Sequence, residues 1–506
     1  MLKSGYAALM THRTVVLNVV GLTEEVLAHT PQIKAFRDRN AGTRIVPAFP
    51  AVTCTAQSSY VTGLAPSEHG IVANGWYHRE LAEVQFWKQS NHVVRGRKVW
   101  DDLRESVPGF TCAKLFWWYN MYSTADYSIT PRPMYPADGR KFFDVYSWPY
   151  SIRPRIKKDL GDFPFPGFWG PVAGQKSPQG SRTAATDWIA ESALWIEREF
   201  SPTLSLVYLP HLDYNLQRLG PRDPAVKQDY EEIDRIVGRL IDFFESRSMQ
   251  VIILSEYGIT PVEKAIHLNR YFRLQGWLTI KEELGLELLD AGASKVFAVS
   301  DHQVAHVYVN DPSLLGKARE LLEKIDGVAA VFGAQEKIDN LIDHPRAGDL
   351  VVVAREDAWF TYYYWMDDVL APDFARCVDI HRKPGYDPVE LFLDPKYFPP
   401  TKTTILNKAL GPELSTPQRD AGRPGLAIST VKARIILKLL KKKLGFRMLM
   451  DVIPLDAGLV RGSHGARPRS PENYPVFISN RPERVPLSEM QPTDVYHAIK
   501  RHVLQG

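Results

Sequence analysis

The sequence has few cysteines, no long apolar segment and little excess of charge. Three cysteines in 506 residues, Cys54, Cys112 and Cys377, are too few for a disulfide framework, which favours a reducing compartment. No apolar run reaches the ~18 residues of a membrane-spanning helix, and residues 1–13 lack the apolar core of a signal peptide. A net charge of +4 does not support a nucleic-acid-binding surface. We therefore expect a cytoplasmic protein that does not bind nucleic acid.

What the sequence does contain is typical of a large α/β domain. Hydrophobic residues make up 44% and charged residues 24% of the chain, as in soluble globular proteins. Apolar, β-branched runs at residues 14–23, 203–210 and 251–258 predict strands buried on both faces, which is the pattern of a parallel sheet. Residues 227–247 have the spacing of an amphipathic helix. We predict an α/β fold with a mostly parallel central sheet and helices on both faces.

Residues 49–64 form the most informative stretch. The segment enters with Phe49-Pro50 and then offers the hydroxyl groups of Thr53, Thr55 and Ser58. It reads as a turn that leads into a helix, and free backbone N–H groups at a helix start suit a phosphate. A threonine hydroxyl becomes a nucleophile only when a metal or a base activates it. The same pattern also fits an ordinary hydroxyl-rich helix cap without chemistry.

Polar side chains follow two of the predicted strands. Asp213 and Gln217 come after the strand at 203–210, and Glu256 and Tyr257 end the strand at 251–258. The carboxyl ends of parallel strands border the crevice in which α/β proteins bind ligands. The less favoured alternative is that Asp213 and His211 are a turn cap and a loop residue. Later in the chain, glycines at both sides of His464 would let the backbone approach a ligand closely.

The run at residues 49–74 resembles the type I nucleotide pyrophosphatase/phosphodiesterases of the alkaline phosphatase superfamily, of which phosphonoacetate hydrolase is a close cousin. The resemblance is carried by Thr53 ten places before Gly63, then Pro66, His69-Gly70-Ile71 and Asn74. Further motifs follow in the family's order across residues 14–503. The resemblance implies an alkaline-phosphatase-like core at 14–265 and 376–506, with a smaller α/β cap at 266–375.

The resemblance also implies a metal site. The family threonine that matches Thr53 attacks phosphorus between two metal ions. Asp213 and His464 match family ligands. Glu256 stands where the family has a ligand aspartate and is one methylene longer, and Gln217 stands where the family has a ligand histidine. Two further ligand positions hold Val20 and Tyr257 instead of the family's aspartate and histidine. With His381 as an additional candidate ligand, we predict one or two divalent ions, zinc or manganese.

Several residues are predicted to bind the substrate. The family's phosphoryl-binding asparagine is replaced by Ala56, so the neighbouring Gln57 is the candidate substitute. The aromatic run at 114–120 is either core or a cleft wall from which Lys114 reaches an anion. His302 and His306 are interpreted as structural histidines, with refilling of a vacant ligand position from the cap side as the alternative for His302. The predicted substrate-binding residues are Gln57, Asn74, Lys114, Arg132 and Lys383.

Two functional hypotheses follow. The first is a metal-dependent hydrolase, or a transferase, that acts on a phosphodiester, pyrophosphate or phosphate monoester of a small metabolite, with Thr53 as nucleophile. The alternative is a non-catalytic or repurposed family member that binds an anionic metabolite or a protein partner, because three ligand positions are lost. A basic amphipathic helix predicted at 431–444 either contacts membrane surfaces weakly or is an ordinary helix with an exposed basic face.

Overall fold

A computed structural model describes residues 11–138, 140–175, 184–394 and 450–504. The strands predicted at 203–210 and 251–258 and the helix predicted at 227–247 are confirmed. The strands are β1 (Thr14–Val19), β2 (Ala41–Arg44), β3 (Gly75–His78), β4 (Glu83–Phe86), β5 (Cys112–Leu115), β6 (Tyr127–Pro131), β7 (Val145–Trp148), β8 (Leu204–Leu209), β9 (Gln250–Leu254), β10 (Thr260–Pro261), β11 (Lys264–Ile266), β12 (Thr279–Glu283), β13 (Leu286–Asp290), β14 (Val296–Asp301), β15 (Val304–Val309), β16 (Val328–Phe332), β17 (Leu350–Ala354), β18 (Ala358–Phe360), β19 (Gly462–Ser463) and β20 (Val476–Ser479).

The α-helices in the described part of the chain connect these strands or follow the last of them. They are α1 (Glu24–Leu27), α2 (Pro31–Asp38), α3 (Thr53–Thr62), α4 (Pro66–His69), α5 (Val99–Ser106), α6 (Ile152–Leu160), α7 (Ala184–Phe200), α8 (His211–Leu219), α9 (Lys227–Ser246), α10 (Leu268–Leu274), α11 (Leu315–Glu323), α12 (Ala334–Asp339) and α13 (Asp494–Val503).

The central sheet has eight strands in the order β2-β20-β9-β1-β8-β5-β6-β7. The five strands from β9 to β6 pair in parallel, whereas β20, β2 and β7 are antiparallel to their neighbours. Every residue of β1, β8 and β9 is buried, as their continuous apolar sequences predict. The carboxyl ends of these three adjacent strands therefore lie side by side at one edge of the sheet.

Helices cover both faces of this sheet. Because side chains alternate along a strand, Val15, Leu17 and Val19 pack on one face with apolar residues of α7 and α9. Val16 packs on the other face with residues of α3, α5 and α13. This is the predicted α/β arrangement, with α3 held against the sheet by Tyr60, whose hydroxyl donates to the Ser255 carbonyl at 2.8 Å.

A second, four-stranded antiparallel sheet lies within the predicted cap segment. Its order is β14-β15-β17-β16, and all its neighbouring strands pair antiparallel. Its apolar residues form a separate core that includes Phe297 and Tyr308. The cap boundaries at 266 and 375 stay predictions.

Residues 159–182 are rich in proline, glycine and phenylalanine, a composition typical of a surface loop, but part of this segment lies in the core. Phe163 is buried and packs against Phe116 and Trp188 in the main core. The basic helix predicted at 431–444 lies outside the described residues. Within the described part of the chain, no helix is long and apolar enough to cross a membrane.

Gly462 in β19 fixes how closely the chain passes helix α8. A Cβ atom at position 462 would lie 2.0 Å from the Leu216 carbonyl oxygen and 2.9 Å from Ile259 Cγ2. Gly462→Ala should therefore lower the free energy of unfolding by about 3 kcal/mol, because backbone must shift to admit the methyl group. Urea unfolding measures this change. The control is Gly316→Ala on α11, where nothing lies within 4 Å; equal effects of the two substitutions would contradict the close approach.

Candidate active site

Thr53 is the first residue of helix α3 and lies at the carboxyl edge of the central sheet. Its side chain is almost fully buried, and its Oγ1 is 3.0 Å from the Tyr257 hydroxyl oxygen. Tyr257 follows strand β9 directly after Ser255 and Glu256. The predicted nucleophile is therefore held in place by a residue from the centre of the sheet.

The Tyr257 hydroxyl also reaches Asp213, which lies in the first turn of α8 just after strand β8. It donates to Asp213 Oδ1 at 3.3 Å, and the same oxygen is 3.7 Å from His464 Nε2. Burial raises the pKa of Asp213 to about 7, although hydrogen bonds from Gln217 and Tyr257 lower it. The structure thus brings Thr53, Asp213 and His464 together, although they are far apart in the sequence.

His464 is oriented so that one ring nitrogen faces Asp213. Its Nδ1 is 2.7 Å from the Ala51 carbonyl oxygen, so Nδ1 carries the hydrogen and Nε2 is left as an acceptor. Burial lowers the pKa of His464 well below its usual range, which keeps the ring neutral. Nε2 is buried and has no hydrogen-bond partner among the described residues. A buried acceptor without a donor next to a carboxylate is the arrangement that a cation would satisfy.

Two aromatic rings clamp His464. The Tyr257 ring stacks on it with centroids 3.6 Å apart and planes within 9° of each other. The His302 ring lies 3.7 Å away from it and stacks in turn on Tyr386 at 3.6 Å. His302 donates from Nδ1 to Asp301 Oδ1 at 2.7 Å. These ring contacts fix the position of His464, while the Ala51 carbonyl fixes its tautomer.

Glu256 faces amide groups. Its Oε1 accepts from Asn18 Nδ2 at 2.5 Å and from Gln57 Nε2 at 2.6 Å. Gln57 Oε1 in turn accepts from the Trp118 backbone N–H at 2.7 Å. Burial raises the pKa of Glu256 to about 8, against the lowering effect of these hydrogen bonds. Gln57, predicted to bind substrate, instead has both ends of its amide engaged inside the protein.

Three other predicted substrate-binding residues are likewise engaged within the protein. Asn74 donates to Asp301 Oδ1 at 3.1 Å and accepts from the Cys54 N–H at 3.0 Å. The buried Lys114 ammonium donates to the Tyr119 carbonyl at 2.8 Å. Because a buried polar group must be paired, these contacts stabilise the fold around the site.

Lys383 is the fourth of these residues. Its ammonium group is buried and lies 2.7 Å from carboxylate oxygens of both Asp387 and Glu390. Gln217 is also engaged, since its Oε1 accepts from the Tyr386 hydroxyl at 2.9 Å. Of the five predicted substrate-binding residues, Arg132 alone lines the cleft described next.

A cleft of about 580 Å³ opens above Thr53, Asp213 and Tyr257. Its wall is aromatic, and its basic side chains come from three segments of the chain. Arg132 and His381 line it, with His381 Nδ1 3.3 Å from the Phe86 carbonyl oxygen. The aromatic wall includes Trp87, Trp118, Phe165, Phe168, Trp169 and Tyr386, and the other basic residues are Lys88, Lys141 and Arg382.

Sequence reasoning missed the part that Tyr386 plays in this site, where its ring stacks on His302. His302 was interpreted as a structural histidine, yet it lines the cleft and has a backbone φ of 60°, unusual for a residue other than glycine. The signal in the sequence for His302 was its position directly after the carboxylate of Asp301. By contrast, His306 is structural, with Nε2 3.1 Å from the Val72 carbonyl oxygen.

The predicted ligands fit a cation only in part. Within the described ranges, no three histidine, cysteine, aspartate or glutamate side chains are grouped as a metal site. Asp213 Oδ1 and His464 Nε2 supply two ligands of suitable chemistry that face the same point. Glu256 does not join them, because two amides donate to its Oε1. Val20 offers no ligand atom, and its side chain lies in the apolar core. His381 lies in the cleft wall instead.

His69, one of the residues that carry the resemblance, supports the loop beyond α3. Its Nε2 is 3.0 Å from Ser59 Oγ, and its Nδ1 accepts from the Ile71 N–H at 3.0 Å. Burial lowers its pKa to about 3 from 6.5. Between about pH 3 and pH 6.5, His69 is protonated in the unfolded chain and neutral in the folded protein. The stability that neutral His69 contributes is therefore full above pH 6.5 and is lost as the pH falls.

We therefore expect the stability advantage of the native chain over His69→Gln to shrink below pH 6.5, by up to about 1.4 kcal/mol per pH unit. Urea unfolding of both proteins at pH 7, 6, 5 and 4 measures it. An advantage that stays constant over this range would show that His69 does not stay neutral in the folded protein.

Solved structures with the same architecture include ectonucleotide pyrophosphatase/phosphodiesterases and a phosphonoacetate hydrolase. Human ectonucleotide pyrophosphatase/phosphodiesterase 5 superposes with a TM-score of 0.54 at 14% identity, over 98% of this chain and all of that chain (100%). The murine protein gives 0.53 at 14% identity, over 96% and 93% of the two chains. Phosphonoacetate hydrolase from Sinorhizobium meliloti gives 0.53 at 14%, over 98% and 97%. These similarities establish the alkaline-phosphatase-like fold.

The sequence defines the family. Residues 14–387 match the model of the type I phosphodiesterase/nucleotide pyrophosphatases, and the chain belongs to this family of hydrolases. An uncharacterized pyrophosphatase/phosphodiesterase of Schizosaccharomyces pombe is 24% identical over 276 residues, which are 51% of this chain and 48% of the yeast protein. The match thus spans about half the length of this curated relative. Both the predicted family and the predicted fold class are confirmed.

Proposed function

We propose that the protein is a metal-dependent phosphodiesterase or pyrophosphatase that uses Thr53 as its nucleophile. The observation that carries the proposal is that Thr53 and Asp213 line the cleft, with His464 Nε2 3.7 Å from Asp213 Oδ1. Thr53 begins a ten-residue helix, so the positive end of the helix dipole lies where a phosphoryl group would sit. Membership of the type I phosphodiesterase family supports the same chemistry.

The proposed reaction has two steps. In the first, Thr53 Oγ1 forms a bond to phosphorus while the bond from phosphorus to the leaving oxygen breaks, and the threonine hydroxyl proton ends on that oxygen. In the second, water attacks phosphorus, the bond to Oγ1 breaks, and Thr53 regains its hydrogen as the phosphate product leaves. Asp213 and His464 would hold a zinc or manganese ion, which supplies positive charge to the phosphoryl oxygens.

The cleft indicates what the substrate carries besides phosphate. Aromatic side chains surround the approach to Thr53, and a volume of about 580 Å³ suits a drug-sized molecule. Arg132 and Lys88 add positive charge to the same wall. These features favour a small phosphodiester or pyrophosphate with an aromatic or apolar group over a bare phosphate monoester. One neighbouring structure, an inactive variant of the murine phosphodiesterase, holds AMP, which makes nucleotide esters reasonable test compounds.

A second candidate function has its own support. Glu256 is closed off by two amides, and Val20 and Tyr257 replace two ligand positions of the resembled family. A protein that keeps the cleft but binds an anionic metabolite without cleaving it would show these features. It would bind the test compounds and release no product.

An activity assay of the full-length protein tests the proposal. Zinc-loaded or manganese-loaded protein should hydrolyse bis(4-nitrophenyl) phosphate faster than methyl 4-nitrophenyl phosphate, because the second aryl group fills the aromatic cleft. Removal of the ion with EDTA should stop both reactions, and added zinc should restore them. Binding of these esters without turnover at any metal concentration would instead favour the non-catalytic alternative.

A further inference from the structure

The two carboxylates of the site, Glu256 and Asp213, are surrounded by different kinds of groups. We propose that hydrogen bonds replace a cation beside Glu256, so that the chain takes one metal ion, and that the Tyr257 hydroxyl orients Thr53 in place of a second ion. The orienting role depends on the proposed function, because it concerns the nucleophile. The count of metal ions does not depend on it.

The first support is the set of groups around Glu256. Its side chain is fully buried, and two amide N–H groups point at the same oxygen, Oε1, from Asn18 at 2.5 Å and Gln57 at 2.6 Å. The Gln57 amide is itself fixed by the Trp118 backbone N–H. A cation bound to Oε1 would have to displace both amides and leave their hydrogens unpaired in the interior, which is costly.

The other carboxylate oxygen of Glu256 is buried without a hydrogen-bond partner among the described residues. A second cation would have to bind there. It would lack the ligands that the resembled family supplies beside this carboxylate, because those positions hold the isopropyl group of Val20 and the phenol of Tyr257. A single carboxylate oxygen does not provide a structural or catalytic metal with enough ligands.

The second support is the direction of the hydrogen bonds at Tyr257. A phenol has one hydrogen, and Tyr257 donates it to Asp213 Oδ1 at 3.3 Å. The phenol oxygen therefore accepts the Thr53 hydroxyl hydrogen at 3.0 Å. This orients the hydroxyl of Thr53, which lines the cleft. Stacking on His464 holds the phenol still, with ring centroids 3.6 Å apart.

Metal analysis of the demetallated, zinc-reloaded and desalted full-length protein tests the ion count without any substrate. We expect one zinc per chain in the native protein. We expect the same count in Glu256→Gln, and loss of the ion in His464→Ala. Two ions in the native protein, or loss of an ion in Glu256→Gln, would overturn the proposal. A count of zero would also overturn it, because the Asp213 side would then hold no ion.

Tyr257→Phe tests the orienting role. This variant keeps the ring that stacks on His464 and removes only the hydroxyl. We expect kcat to fall roughly tenfold or more, as for loss of one positioning hydrogen bond, while KM and the zinc count stay unchanged. Retention of the native kcat would refute the role. Absence of all hydrolysis in the native protein would refute the proposed function together with this role, and the zinc count would then decide the remaining claim.

Discussion

Replacing Thr53 by alanine is expected to abolish phosphodiester hydrolysis while the protein stays folded. The substitution removes the oxygen that would bond to phosphorus, and losing a nucleophile typically lowers kcat by about a thousandfold or more. Thr53→Ser keeps a hydroxyl at the same place and should retain measurable turnover. Release of 4-nitrophenol from bis(4-nitrophenyl) phosphate by zinc-loaded protein gives the rates, and thermal unfolding checks the fold.

Thr55→Ala is the matched control for this prediction. Thr55 lies on the same helix and is also buried, but its hydroxyl donates to the Ile71 carbonyl at 3.1 Å, away from Tyr257. The control loses one ordinary hydrogen bond and should cost about 1 kcal/mol of stability with little change in kcat. If Thr53→Ala and Thr55→Ala both hydrolysed the ester at the native rate, Thr53 would be excluded as the nucleophile.

The second large effect is expected for Asp213→Asn, which removes the negative charge and keeps the size of the side chain. We expect this variant to lose the bound zinc and about a hundredfold or more of kcat, because a neutral amide is a poor substitute for a carboxylate ligand. The metal-free variant should be at least as stable as the metal-free native protein. Burial raises the pKa of Asp213 to about 7, so the charged form is disfavoured in the fold.

Two unfolding curves for each protein, with EDTA and with zinc, separate these effects. The native protein should unfold at a higher temperature with zinc, because the ion binds the folded state. That gain should vanish in Asp213→Asn and persist in Asp242→Asn, which removes an exposed carboxylate from α9. A zinc gain of native size in Asp213→Asn would show that the ion is held elsewhere.

Much of the fold follows from local patterns in the sequence. The runs that become β1, β8 and β9 are apolar at every position, and only a strand covered on both faces buries such a run. The segment around Phe163 has the composition of a loop and is nevertheless partly buried. Proline and glycine mark the absence of regular structure, but they do not show whether the aromatic residues between them face solvent or the core.

Part of the candidate site was also predictable from the sequence. Asp213 and Tyr257 follow strands whose carboxyl ends meet at one edge, so their proximity to each other follows from topology. The pairing of polar residues was not predictable. Gln57, Lys114 and Lys383 all carry groups suited to an anion. Gln57, however, is engaged by a buried carboxylate far along the chain. Lys114 is engaged by a nearby backbone carbonyl, and Lys383 by two nearby carboxylates. Sequence shows what a side chain can bind and not which partner reaches it.

A crystal structure of the zinc-loaded protein with orthovanadate, which mimics phosphorus under attack, tests the central claim most directly. The account predicts a bond between Thr53 Oγ1 and vanadium, with one zinc ion on Asp213 and His464 and no ion on Glu256. Vanadate bound away from the Thr53 hydroxyl, or zinc held by other side chains, would contradict it.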